Sequence, residues 1–225
     1  MVILSGGQDS TICLFNTIKD HDVVEAITFN YGQKHSIELD SAKKVSELAG
    51  VKLHVINVPD ILKSRSPLTN NAEKLETYDN YEEMDNIIGD RVELTFVPMR
   101  NAFFLTLGAN YALERDIFKM VTGVCQQDNA NYPDCRDIFI KSQEETINQA
   151  LGINNFIIET PLMFLSKAQS IELAQSLKGC MKALAYSHTC YAGVCPPCGE
   201  CHACVLREQG FKEAGVVDPL VERTK

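Results

Sequence analysis

Apolar residues along this chain alternate between short continuous runs and a spacing of three to four residues. The runs at 2–4, 23–29 and 53–58 are mostly apolar, and each predicts a strand, with the first of them buried. Between them, residues 10–18 and 36–49 carry apolar side chains at the spacing of one helical face. The first part of the chain therefore predicts three strands that alternate with two helices.

The alternation stops at residues 64–93 and then returns. This stretch is polar and without clear periodicity, so we expect an ordered or mobile lid there rather than a strand or helix. After it, the pattern predicts helices at 101–114, at 137–151 and up to Leu177, and strands at 119–124 and 156–159. Ser166 and Gln169 form the capping-box pattern that opens the last of these helices.

Strands that alternate with helices at this spacing predict an α/β fold, a Rossmann-like parallel sheet with helices on both faces. In such a sheet, ligands bind at the carboxyl ends of the strands. We therefore expect the functional residues in the loops at 5–9, at 30–35 and after Val124. We expect a catalytic domain over residues 1–179 and a C-terminal metal-binding segment over residues 180–225.

Composition and charge exclude several classes of function. The chain has 225 residues, of which 45% are hydrophobic and 23% charged, as in ordinary globular proteins. Its net charge of −9 disfavours nucleic-acid binding, because an acidic surface repels a phosphate backbone. No apolar run reaches the roughly 18 residues of a membrane span, and the first residues do not resemble a secretion signal. We therefore expect a cytoplasmic protein without a membrane partner.

The chain has nine cysteines, and five of them fall in one short window. In a cytosolic chain, such clustering predicts metal binding rather than disulfides. Cys198, Cys201 and Cys204 follow one another at the spacing of a knuckle around one tetrahedral ion, and Cys190 or Cys195 would supply the fourth ligand. Four thiolates without an open position are typical of structural Zn²⁺, and His202 is not expected to be a ligand.

The first predicted strand leads into the first predicted helix through Ser5-Gly6-Gly7-Gln8-Asp9-Ser10-Thr11. The glycines permit a tight turn and close approach of a ligand, while successive N–H groups and the positive end of the helix attract an anion. The string is neither a Walker loop nor a dinucleotide fingerprint. We interpret it as a phosphate-binding loop in which Asp9 is suited to Mg²⁺; the alternative is an ordinary turn that Asp9 caps.

The string Ser-Gly-Gly-x-Asp-Ser is similar to the PP-loop of the ATP pyrophosphatases, whose fold is of the adenine nucleotide alpha hydrolase type. Further blocks narrow the resemblance; they lie at 29–35, 96–101, 122–125, 132–137, 159–162 and 166–168. With the cysteine tail, they resemble the 7-cyano-7-deazaguanine synthases over nearly the whole chain. Two departures are that Met99 stands where many members have glycine and that the cysteine spacing is altered.

The resemblance implies ATP-dependent conversion of 7-carboxy-7-deazaguanine and ammonia to 7-cyano-7-deazaguanine, through adenylated intermediates, in the biosynthesis of queuosine-type nucleosides. It implies ATP as co-substrate with Mg²⁺, a structural Zn²⁺, a small-molecule substrate and a homodimer. A chain of this length has no room for a glutaminase domain, so ammonia is expected to arrive free.

Roles for individual residues follow from these blocks. Asp9 and Lys167 are the predicted catalytic residues, with Lys167 stabilising charge on the phosphates from a helix N-terminus. The predicted ATP-binding residues are Leu4, Ser5, Gly6, Gly7, Gln8, Asp9, Ser10, Thr11, Arg100 and Asn101. The predicted substrate-binding residues are Asp128, Tyr132, Asp134 and Arg136. The alternatives are a solvated surface position for Lys167, helix capping by Arg100 and Asn101, and an ordinary exposed loop for the rest.

The family pattern also bears on the metal ligands. It places the fourth ligand at Cys190, with Cys198, Cys201 and Cys204, and the stiffness of Pro196 and Pro197 beside Cys195 favours the same choice.

Two other functions compete with this interpretation. A PP-loop enzyme that thiolates tRNA would need a basic face, which a net charge of −9 argues against. A zinc-knuckle binding module would need no catalytic loop, yet this chain has an intact one on an α/β domain.

Overall fold

The structure is a computed structural model that describes residues 1–32, 37–58, 62–70, 72–126 and 131–225. These residues contain a five-stranded sheet in the order β3-β2-β1-β4-β5, in which every neighbouring pair is parallel. The strands are β1 (Val2–Ile3), β2 (Glu25–Asn30), β3 (Lys52–Asn57), β4 (Lys119–Val121) and β5 (Ile157–Glu159). Val2 of the central strand pairs with Ala26 on one side and with Val121 on the other.

Helices connect the strands and follow the last of them. They are α1 (Gln8–Asp20), α2 (Ile37–Ala49), α3 (Tyr81–Ile88), α4 (Arg100–Leu113), α5 (Asp137–Leu151), α6 (Lys167–Ser176), α7 (Cys180–Leu184), α8 (His202–Glu213) and α9 (Pro219–Thr224). A short 3₁₀ turn, Pro133–Cys135, precedes α5. Among the described residues, no helix combines the length and the apolar character that crossing a bilayer requires.

Both faces of the sheet are covered, which confirms the predicted fold class. Successive side chains of a strand point to opposite faces, and the central strand shows the result directly. Val2 and Leu4 belong to an apolar cluster with α1, α2, α6 and α7, whereas Met1 and Ile3 pack with α4 and α5 on the other face. Strands buried on both faces read as continuous apolar runs, as the central strand does here, whereas the edge strand β3 is only partly buried.

The strand order reverses between β1 and β4, and this reversal positions the site. From β1 the chain builds outward through β2 to β3 and then returns to the opposite side of β1 to form β4 and β5. The loops after β1 and β4 therefore diverge, and in parallel α/β sheets such a divergence opens a crevice for ligands.

Residues 64–93 contain a helix, so the prediction of a lid without a helix was wrong. Helix α3 begins after Asn80, whose side chain accepts a hydrogen bond of 3.0 Å from the Glu83 N–H. Its apolar face is short because it consists of Met84 and Ile88, which pack against Val205 and its neighbours on α8. A helix of eight residues with so few apolar contacts leaves little periodicity in the sequence.

The C-terminal segment packs closely on the sheet-bearing part of the chain. Helix α8 contacts α6 and α3, while α7 contacts α1 and α2. Gly210 of α8 makes the first of these contacts possible, since a Cβ there would lie 2.6 Å from the Cβ of Lys167. A domain boundary between residues 179 and 180 stays a prediction.

Candidate active site

The loop after β1 is stabilised by hydrogen bonds between its own residues. Helix α1 begins at Gln8, and Gly7 occupies the cap position without a side-chain bond, so the alternative of a turn capped by Asp9 is wrong. The Ser10 and Thr11 hydroxyls donate to the Gly7 carbonyl at 3.1 and 2.8 Å. These bonds fix the turn at the start of the helix, where the first N–H groups carry the positive end of the helix dipole.

Gly6 is the position in this loop where no other residue fits. Its φ is +89°, and a Cβ there would lie 2.3 Å from the Glu38 carbonyl and 2.7 Å from the Ala42 nitrogen. The loop thus lies directly on the first turn of α2. On its other side, the His188 N–H donates to the Gly6 carbonyl at 2.8 Å, which ties the loop to the segment that leads to the cysteines.

Asp9 and Lys167 form an ion pair at the mouth of the loop. The Lys167 Nζ lies 2.7 Å from the Asp9 Oδ2, and the two side chains are 12% and 24% exposed. Lys167 is the first residue of α6, which the predicted capping box of Ser166 and Gln169 does open. The interpretation of Lys167 as a solvated surface lysine is therefore wrong.

A cavity of about 340 Å³ extends from this ion pair along the carboxyl edge of the sheet. That volume lies in the range of small-molecule sites. Its walls come from the phosphate loop, the ends of β1, β2 and β4, the start of α4, the segment after residue 131 and the segment around the cysteines. Of the predicted ATP-binding residues, Gly6 and Thr11 do not line the cavity and the other eight do.

The start of α4 forms the wall opposite the phosphate loop. The Asn101 backbone N–H donates to the Asp134 Oδ2 at 3.2 Å, and its side-chain amide donates to the Asp134 carbonyl at 3.2 Å. Asn101 thus holds the 3₁₀ turn rather than capping α4, because the cap position is Met99. Burial raises the pKa of Asp134, whereas the Asn101 hydrogen bonds and the Arg100 charge lower it.

Tyrosines surround the positive charge of Arg100 in this wall. Burial raises the pKa of Tyr31, Tyr132 and Tyr191, so all three stay neutral hydroxyl groups at pH 7, while the charge of Arg100 acts in the opposite direction. Arg100 is therefore a cation beside neutral hydroxyl groups and the Asp134 carboxyl group, and its place in the cavity wall suits an anionic ligand.

The predicted substrate-binding residues divide into three groups. Tyr132 and Arg136 line the cavity, with Arg136 exposed at its rim. Asp134 is buried behind the wall, where its carboxylate accepts the bond from α4. Asp128 lies outside the described residues. Their roles toward a substrate stay predictions.

Glu93 is a buried carboxylate that the sequence analysis missed. It is 2% exposed, and it accepts hydrogen bonds from the Thr95 N–H at 2.7 Å and the Tyr132 hydroxyl at 3.2 Å. A polar residue in a stretch without periodicity carries no sign of burial, so the sequence offered no signal for this contact.

Four cysteines converge beside the cavity. The sulfur atoms of Cys190, Cys198, Cys201 and Cys204 all lie within 4.8 Å of one another, whereas Cys195 is exposed and outside the group. Three backbone N–H groups point at these sulfurs at 3.4 Å, those of Tyr191, Cys198 and Cys201. Four converging thiols fit the tetrahedral coordination of one metal ion.

The residues next to these cysteines also belong to the cavity wall. His188, Thr189, Tyr191 and His202 line it. Burial lowers the pKa of His202 to about 4; the charge of Glu93 raises that pKa and the charge of Lys167 lowers it. His202 is not among the four converging residues, as its place in the sequence predicts.

Comparison with known proteins gives the family. The family model described as "Queuosine biosynthesis protein QueC" matches residues 1–215. The chain belongs to the QueC family. A QueC-family relative in Laribacter hongkongensis (strain HLHK9), named 7-cyano-7-deazaguanine synthase, is 45% identical over 226 residues, with 99% of this chain and 94% of the relative covered. One of the same name in Gloeobacter violaceus is 44% identical, with 98% and 94% covered.

A solved structure shares the fold at much lower identity. The crystal structure of a 4-thiouridine synthetase–RNA complex with bound ATP matches with a TM-score of 0.50 and 17% identity, over 95% of this QueC-family chain and 50% of that one. Identity at this level shows a shared fold alone.

Proposed function

We propose that this chain is a 7-cyano-7-deazaguanine synthase that consumes ATP, 7-carboxy-7-deazaguanine and free ammonia, in a pathway to queuosine-type nucleosides. Membership of the QueC family and the names of relatives 42–45% identical support it. The observation that carries it is the Asp9–Lys167 pair at 2.7 Å, at the junction of a phosphate-binding loop and a cavity of small-molecule size.

The phosphate loop would hold the outer phosphates of ATP. Its N–H groups and the N-terminus of α1 offer positive partial charge, and Lys167 adds a full charge from the N-terminus of α6. Asp9 supplies a hard carboxylate oxygen of the kind that Mg²⁺ binds together with phosphate oxygens. The ion pair of the free protein would then separate, with Asp9 facing the cation and Lys167 the phosphates.

The reaction would proceed through two adenylations. A carboxylate oxygen of the base attacks the α-phosphorus of ATP, the bond from that phosphorus to the bridging oxygen breaks, and pyrophosphate leaves. Ammonia then adds to the acyl carbon, loses a proton and expels AMP, which gives the amide. The amide oxygen attacks the α-phosphorus of a second ATP and expels pyrophosphate, and loss of AMP and both amide protons from the product gives the nitrile.

The walls of the cavity fit these partners. Arg100 lines the cavity as a cation, which suits the substrate carboxylate or the developing phosphate charge. Tyr132 and Arg136 would bind the edge of the base, and Asp134 would hold their loop in place through Asn101. The roles of Asp128 and of the other predicted contacts belong to the same proposal.

The four-cysteine cluster would hold a structural Zn²⁺. Its four sulfurs leave no ligand position for a substrate, so the ion would stabilise the fold without entering the chemistry. We further propose a cytoplasmic homodimer.

The deciding experiment incubates the purified protein with 7-carboxy-7-deazaguanine, an ammonium salt and Mg-ATP. Two AMP and two pyrophosphate for each nitrile, detected by mass spectrometry, are the expected result. AMP release that requires tRNA would instead favour a tRNA-modifying enzyme. ADP in place of AMP, or no nucleotide consumption under any condition, would overturn the proposal.

A further inference from the structure

The cavity contains buried polar atoms that lack a partner. Among the described residues, both ring nitrogens of His202, the amide nitrogen of Gln8 and the hydroxyl of Thr189 are buried without a hydrogen bond. All three residues line the cavity. Buried polar groups are nearly always paired in folded proteins, and orphaned ones at a cavity wall point to a ligand that pairs them.

Two of these groups belong to the phosphate end of the cavity. Gln8 is the first residue of α1, within the phosphate loop. Thr189 packs beside the same loop, since a Cβ placed on Gly7 would lie 3.7 Å from the Thr189 methyl carbon. Nucleotide phosphates would reach both groups, so they add nothing beyond the proposed ATP site.

His202 is placed differently. It is 3% exposed, and it is the first residue of α8, a helix that contacts both α3 and α6. The charges of both Glu93 and Lys167 act on its ring. Glu93 accepts a hydrogen bond from Tyr132, which is assigned above to the base, whereas Lys167 pairs with Asp9 at the phosphate end, so His202 lines the cavity between the two.

We infer that His202 is a specificity-determining residue that hydrogen-bonds a polar edge of the bicyclic heterocyclic substrate. This inference rests on the proposed function and names one contact within it. An imidazole can accept at one nitrogen and donate at the other, which suits a heterocycle that presents both kinds of group. Cys201, immediately before it, would make the metal knuckle the support that fixes its ring.

The test compares substrate binding by two variants of His202. His202→Leu removes both hydrogen-bonding nitrogens at similar bulk, while His202→Gln retains a donor and an acceptor. Isothermal titration calorimetry measures the Kd of 7-carboxy-7-deazaguanine in the presence of a non-hydrolysable ATP analogue, and then the Kd of the analogue itself. Glu208→Ala, at an exposed position of the same helix, is the control.

For His202→Leu, we expect the Kd of the base to rise about 10- to 100-fold, because a buried hydrogen bond to the ligand is lost. The Kd of the ATP analogue should stay within about twofold, zinc content should be unchanged, and His202→Gln should recover part of the loss. If the leucine variant loses its zinc, His202→Met, which also lacks a hydrogen-bonding nitrogen, takes its place with the same expected rise.

Each other outcome overturns the inference. An unchanged Kd for the base would leave His202 a buried residue that a water satisfies. An equal loss for base and nucleotide, or a glutamine variant no better than leucine, would show a purely structural role. If the wild-type protein and His202→Leu bind and convert the base equally well, the role of His202 alone is refuted. If the wild-type protein never binds the base, the proposed function is refuted as well.

Discussion

The phosphate loop and the cysteine knuckle lie against the same cavity, but they keep their shapes by different means. The loop depends on the backbone: Gly6 has a φ of +89°, and two hydroxyls bond the Gly7 carbonyl. The knuckle has four thiols within 4.8 Å of one another and a small apolar surround of Tyr191 and two alanines. Such a knuckle has little to hold it together without an ion.

The wall formed by the phosphate loop therefore keeps its shape through the chain's own bonds, whereas the wall formed by the cysteine knuckle depends on the proposed metal. The two walls are joined by the hydrogen bond of 2.8 Å from the His188 N–H to the Gly6 carbonyl. Loss of the metal should therefore disturb the conformation of the phosphate loop, whereas substitution of a side chain in the loop should leave the knuckle intact.

The largest expected effect is on the chemistry of the loop. Asp9→Ala removes the carboxylate that would bind Mg²⁺ and pair with Lys167, so we expect turnover to fall by at least about 1,000-fold. Zinc content should change little, because Asp9 has no part in the knuckle. The measurements are AMP release, metal analysis and a thermal unfolding curve.

Asp137→Ala is the matched control for that substitution. Asp137 also lies in the first turn of a helix and pairs with a lysine, since its Oδ2 is 2.5 Å from the Lys141 Nζ. It should keep near-normal turnover. If Asp9→Ala also keeps its activity, or loses its zinc together with its activity, the loop does not have the role proposed for it.

The second prediction concerns the knuckle. Cys201→Ala leaves three thiolates, so we expect zinc loss and a fall in stability of several kcal/mol, out of the about 10–16 kcal/mol by which zinc folds small zinc-finger peptides. Solubility and unfolding temperature should fall first, and activity should follow as the His188–Gly6 tie loosens.

Cys195→Ala is the control, because Cys195 lies in the same segment but is exposed and outside the cluster. It should keep zinc, stability and turnover. A Cys195→Ala variant that loses its zinc would make Cys195 a ligand, and a zinc-free Cys201→Ala variant of wild-type stability would refute the structural role.

The sequence predicted the loop and the knuckle but not what lies between them. The phosphate loop and the cysteine knuckle are each recognisable from a few residues close together in the sequence. The alternation of strands and helices is enough to predict that they lie at one edge of the sheet. Helix α3 was missed because its apolar face is so short. Glu93 and His202 were missed because their burial comes from contacts distant in sequence, which no local pattern records.

The smallest expected effect tests whether backbone conformation also governs the wall opposite the loop. Met99 has a φ of +66°, like Gly6, but it carries a side chain. The left-handed conformation costs such a residue about 1–2 kcal/mol, which glycine would avoid. Part of this gain in stability is lost, because glycine makes the unfolded chain more flexible. Because the Met99 side chain is 68% exposed, its removal forfeits little burial.

We therefore expect Met99→Gly to stabilise the protein by about 0.5–1 kcal/mol and to raise the unfolding temperature by roughly 1–4 °C, with zinc content unchanged. Asp116→Gly is the control: Asp116 has a φ of +56°, but aspartate tolerates this conformation better, so the gain should be smaller. A destabilised Met99→Gly variant would mean that the exposed side chain makes a contact worth more than the strain. The walls of the cavity would then not divide into one governed by backbone conformation and one governed by the metal.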